Sequence, residues 1–105
     1  MVTGYTNYQV EIRNDKFITD DGRKYPRTAN VILFDEEGDV IGNELFGDFD
    51  IDELYHTIKE GRPLILDKCY IKDFSLSAYK RINRIEKKEL VIIKGFSARN
   101  SFFDA

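Results

Sequence analysis

Residues 50–60 constrain the fold more than any other stretch of the chain. Ile51, Leu54, Tyr55 and Ile58 fall at i, i+3, i+4 and i+7, one apolar stripe along a helix. Asp50 and Glu53 have the spacing of a capping box, and Phe49 and Leu54 stand where a hydrophobic staple closes. Acids crowd the first turn and Lys59 sits in the last, the arrangement the helix dipole favours. Gly61 and Pro63 end the element. A helix with one apolar stripe must bury it against another layer.

The remaining apolar residues supply that layer as strands. Tyr8, Val10 and Ile12 alternate with polar residues, the period of a half-buried strand, and Lys16–Thr19 reads as a short return. Val31–Phe34, a turn at Glu36-Glu37-Gly38 and Val40-Ile41 form a hairpin. Residues 64–72 and 90–96 read as further strands. Ser75 caps a second helix over about residues 75–85. The expected fold is α+β, an antiparallel sheet packed on a helix over about residues 50–60. Its core is drawn from Val10, Ile12, Val31, Leu33, Ile41, Leu54, Ile58, Leu66, Ile71, Ile82 and Ile92.

The 105 residues amount to a single small domain, 1–105, able to build a modest core. The longest apolar runs are four residues, far short of a membrane span, so no membrane association is expected. Met1–Tyr8 has neither the basic start nor the apolar stretch of a secretory signal. One cysteine makes no internal disulfide, and a reducing cytoplasmic location is expected. One His and one Cys argue against a zinc site.

Charge is the most unusual feature. Residues 29–58 carry nine acids and no Lys or Arg, while residues 59–99 carry eleven basic and five acidic side chains. Helix initiation accounts for Asp48, Asp50, Asp52 and Glu53 in part. An acidic docking face for a basic protein partner is expected from Asp35, Glu36, Glu37, Asp39, Glu44, Asp48 and Asp52, a surface of the kind an inhibitor or a DNA mimic presents. An EF-hand frame fails at both starts: from Asp35, position 6 is Val40 and position 12 Phe46; from Asp48, they are Glu53 and Lys59. The basic stretch 79–88 is the alternative, a phosphate-touching helix. Glu86, Glu89 and an isoelectric point near 5.2 argue against nucleic acid, and the stretch can instead meet the acidic block within or between copies. His56 reads as a partly exposed structural residue and Cys69 as a small buried hydrophobe; pairing the two as base and nucleophile has no support beyond their being alone of their kinds. The glycines lack a phosphate-loop fingerprint. The sequence thus offers no catalytic, cofactor or metal site, and a non-enzymatic interaction module is expected.

Ile71-Lys72-Asp73-Phe74-Ser75 recurs 22 residues on as Ile93-Lys94-Gly95-Phe96-Ser97, with four of five positions identical. Equal spacing lets equivalent side chains stack rung on rung, although two ordinary strands ending in similar turns give the same echo. The tail Gly95–Ala105 resembles the start of a pentapeptide-type repeat coil, whose five-residue units carry a central Leu or Phe with small residues nearby. It departs from that pattern at Ser101 and at the adjacent Phe102 and Phe103. The resemblance implies that residues 1–94 form an amino-terminal module before a right-handed β-helix in a longer chain. The implied role is a structural cap; some proteins of that family bind DNA-handling enzymes through an acidic, DNA-like surface.

Overall fold

The stripe of residues 50–60 finds its layer in a five-stranded sheet. In the computed structural model, which describes residues 4–104, the chain runs β1 (Asn7–Arg13), β2 (Phe17–Ile18), β3 (Lys24–Tyr25), β4 (Thr28–Phe34), β5 (Val40–Asp48), α1 (Ile51–Lys59), β6 (Cys69–Lys72), α2 (Leu76–Ile82) and β7 (Phe102–Asp104). The main sheet has the order β1-β4-β5-β6-β7, and β2 pairs with β3 apart from it. The architecture is α+β, with two helices and a mixed sheet.

Local chemistry sets the helix ends. The Asp50 carboxylate accepts the N–H of Asp52 at 3.0 Å, while Glu53 reaches Arg62 rather than closing a capping box. At the other end Gly61 takes φ +70°, its N–H bonding the Ile58 carbonyl and that of Arg62 the Thr57 carbonyl. Those two bonds make a Schellman motif, which needs the left-handed backbone that glycine adopts without strain. Ser75 caps α2 by accepting from the Ala78 N–H at 3.1 Å.

The first half of the sheet is antiparallel, as expected. β1 pairs with β4 from Asn7↔Phe34 to Arg13↔Thr28, and β4 with β5 from Thr28↔Gly47 to Phe34↔Val40. β2 does not return against β1. The seven-residue β4 fills that edge, and β2 pairs with β3 instead.

Beyond β5 the pairing is parallel. β6 joins the end of β5 through Gly47↔Cys69 and Asp48↔Tyr70, and β7 joins β6 through Tyr70↔Phe102, Ile71↔Phe103 and Lys72↔Asp104. Parallel neighbours need long crossovers, and the segments containing α1 and α2 supply them. Residues 90–96 form no strand. Residues 64–66 and 96–98 nevertheless run side by side: Ile65 and Ser97 form a parallel bridge, with Ser97 N–H bonding the Leu64 carbonyl at 3.0 Å and Leu66 N–H the Ser97 carbonyl at 2.7 Å.

Two apolar clusters follow from this layout. Leu54, Ile58, Leu64, Leu66, Cys69, Ile71 and Tyr79 gather beneath the helices. Ala29, Val31, Leu33, Phe46, Tyr70 and Phe102 form the second. Adjacent residues of β6 thus enter different clusters, so the parallel part of the sheet is covered on both faces, as parallel strands require. The rings of Tyr8 in β1 and Phe102 in β7 meet edge to face at 5.0 Å between centroids. These strands stand at opposite ends of the order, so the sheet curls until its first and last members touch.

Of the expected core, Val31, Leu33, Leu54, Ile58, Leu66 and Ile71 are buried and Val10 is half-buried. Four residues are exposed instead. Ile41 is odd-numbered in a strand whose inward set is Gly42, Glu44 and Phe46, opposite Leu33, Val31 and Ala29. Ile12 pairs with buried Ala29 but stands on the edge strand β1, where it stays 46% exposed. Ile82 ends α2, and Ile92 points outward between Val91 and Ile93, which pack on the first cluster.

Candidate functional site

The expected acidic face divides into parts. Asp35, Glu37 and Asp39 come together at the hairpin tip, one carboxylate oxygen from each lying within 4.8 Å of the others. Asp35 organises that tip by accepting the N–H groups of Glu37 and Asp39, each at 2.9 Å. Glu36 lies beside them, exposed. Glu44 and Asp48 lie further along β5. Glu44 pairs with Lys68 at 2.8 Å and Asp48 with Arg27 at 2.9 Å. Asp52 is in the first turn of α1, where the helix dipole accounts for it. The nine acids therefore do not make one continuous surface: residues 35–39 and residues 48–53 occupy opposite ends of β5.

A different assembly, missed in the sequence, sits where the parallel rungs turn. Lys68 and Asn100 both adopt left-handed backbone, at φ 61° and 50°. They are separated by the same 32 residues as Ile65 from Ser97 and Tyr70 from Phe102. Residues 64–72 and 96–104 are thus two successive turns of one coil, each with two extended arms and a corner. Lys68 N–H bonds the Arg99 carbonyl at 2.9 Å, corner to corner. Asp67 pins the corners together, its Oδ1 accepting from Ser97 Oγ at 2.6 Å and from the Arg99 N–H at 2.8 Å. Those bonds hold its carboxyl below the usual carboxylate range.

Arg23 plugs the corner from below. One amino group donates to the Asp67 carbonyl at 2.7 Å, the other to Tyr25 Oη at 2.7 Å and to the Ile65 carbonyl at 3.4 Å. Its Nε meets Asp21 at 2.9 Å. Cys69 is buried beside it, and burial raises its thiol pKa, disfavouring the thiolate. His56 is exposed on α1 and contacts Glu60. A buried protonated thiol and a solvent-facing imidazole engaged elsewhere do not form a nucleophile–base pair.

The last strand is tied back to the first. Asp104 accepts from Tyr8 Oη and Tyr70 Oη, each at 2.5 Å. Burial pushes its pKa upward, but the two hydroxyls and the charge of Lys72 outweigh that and hold it low. Beside β7, Phe74, Leu76, Ile93, Phe96 and Phe103 line a shallow apolar recess of about 420 Å³. Phe96 and Phe103 remain about half exposed there.

No family model matches this chain, and no curated protein and no solved structure matches it either. Among the described residues, no helix is long and apolar enough to cross a membrane.

Proposed function

We propose that the chain is a non-enzymatic cap for a stack of parallel β-strands, with β7 as the rung on which the next strand is laid. The observation that carries this reading is the repeated corner: Lys68 and Asn100, equivalent in a coil whose arms pair in parallel at a constant offset. β7 ends the strand order, and a terminal strand presents a row of backbone donors and acceptors to a newcomer. The recess around Phe96 and Phe103 supplies apolar surface for a following turn to cover. The other end of the coil is closed by the antiparallel strands, which is what a cap does for a repeat stack.

The test is a fusion. A coil of consensus five-residue repeats is joined after Ala105 of the intact chain, and its denaturation midpoint is compared with that of the coil alone. The midpoint rises when the coil follows β7. The gain disappears with Phe103→Asp and is absent when the same coil precedes Met1. Equal midpoints in all four proteins reject the cap.

A second reading rests on the hairpin tip, where Asp35, Glu37 and Asp39 converge. There the chain offers a compact acidic knob to a basic protein. The set Glu36→Lys, Glu37→Lys and Asp39→Lys abolishes capture of polylysine without lowering the melting temperature. Undiminished capture rejects this reading.

A further inference from the structure

The groove behind α2 carries charge opposite to that of the tip. Leu76, Ser77, Lys80, Arg81, Ile85 and Lys87 line it, enclosing about 630 Å³. Lys80 Nζ donates to the Lys87 carbonyl at 2.8 Å, and the Ile85 N–H bonds the Lys80 carbonyl at 2.8 Å. These bonds fold residues 83–87 back along the helix, giving an apolar floor of Leu76 and Ile85 with cationic walls.

Charges at the two places lack local counterparts. Among the described residues, no carboxylate forms an ion pair with Arg81, Arg84 or Lys87, and no Lys or Arg forms one with Asp35, Glu36, Glu37 or Asp39. Other acids of the same block do find bases: Glu44 has Lys68, Asp48 has Arg27 and Glu53 has Arg62. Among the described residues, no ion pair joins tip and groove within one copy. The tip precedes β5, and β6 joins that strand only at Gly47, about 23 Å further on at the rise of an extended strand. Each place also carries exposed apolar surface, with Val40 beside the tip 63% exposed and Ile82 beside the groove 64% exposed.

We propose that the occupant of the groove is the acidic tip of a second copy of this chain. The inference rests on the acidic-tip reading and names the basic partner. Tip and groove are different surfaces, so the contact is heterologous and, when repeated, builds rings or open chains. Opposite charges steer the encounter and make it sensitive to salt; Val40 and the groove's aliphatic residues add apolar burial.

Sedimentation velocity tests it on the intact chain. The protein associates at about 20 mM salt and is monomeric at about 500 mM, where screening acts within about 5 Å. A tip variant (Glu36→Gln, Glu37→Gln, Asp39→Asn) and a groove variant (Arg81→Gln, Lys87→Gln) each associate at least about tenfold more weakly. Mixed, they form a one-to-one dimer and stop, because one acidic tip and one basic groove remain between them. A wild type monomeric at low salt, association untouched by either variant, or a mixture that stays monomeric overturns the proposal. Tip-dependent capture of polylysine by a chain that never self-associates discards this inference alone and leaves the acidic-tip reading standing.

Discussion

Gly47→Ala tests the closeness of the contact between β5 and β3. A Cβ on Gly47 would lie 2.4, 2.8 and 3.0 Å from three carbons of the Tyr25 ring. The ring has little freedom to retreat, since its hydroxyl accepts from Arg23 at 2.7 Å and its face packs on Phe49 at 5.8 Å between centroids. The backbone of Gly47 is equally held, its N–H bonding the Lys68 carbonyl at 2.9 Å. One methyl forced into such a site costs about 2 kcal/mol. For a domain of this size that lowers the melting temperature by about 8–16 °C, read by circular dichroism and checked by urea titration. A double-mutant cycle isolates the cause. In a Tyr25→Ala background the same methyl enters open space, and its cost falls to zero or becomes a small gain from replacing a flexible glycine. The coupling between the two sites is then about 2 kcal/mol. An unchanged melting temperature, or an equal cost in both backgrounds, refutes the argument.

Other consequences are equally measurable. Arg23→Ala strips the Asp67 and Ile65 carbonyls of their donor and costs about 2–4 kcal/mol in urea unfolding. Asp104 and Asp67 have depressed pKa values, so the stability they contribute is present above the ordinary carboxylate pKa of about 3.9 and lost as pH falls through their folded-state values; Asp104→Asn flattens that acid limb. Tyr70 is shifted the other way, raised by burial and by its bond to Asp104, so its contribution holds below about pH 10 and is lost as pH rises beyond; Tyr70→Phe removes its part of the alkaline limb. Cys69 stays unlabelled by a thiol reagent in the folded protein and reacts at the rate of unfolding.

What the sequence made legible was local. The stripe of α1, its Asp50 cap, the stop at Gly61 and the hairpin around residues 35–39 depend on neighbours a few positions away, and each stands where the spacing places it. Ile41 turns outward because apolar character does not reveal phase: the strand's inward set is fixed at Phe46, five residues on. The parallel rungs were hidden for a stronger reason. Their pairing depends on backbone bonds between distant segments, and residues 64–72 and 96–104 share almost no side chains. The visible 22-residue echo would stack Ile71 on Ile93, whereas the structure stacks Ile71 on Phe103. The acidic block was a true feature of composition, but residues 40–47 of β5 separate its halves in space. Nothing marked Arg23 as the plug of the corner; the two corner carbonyls it donates to lie more than forty residues away.

The bond between Tyr8 and Asp104 spans 96 residues. On the ribosome, the hairpin of β4 and β5 and the turn of α1 can form as they emerge, since each is complete in itself. The second cluster then lacks Phe102 and remains open along one side until β7 clears the exit. Closure of the second cluster therefore waits on β7, and a pause in translation between β6 and β7 prolongs the interval in which Phe46 and Tyr70 stand unprotected, available to chaperones or to aggregation.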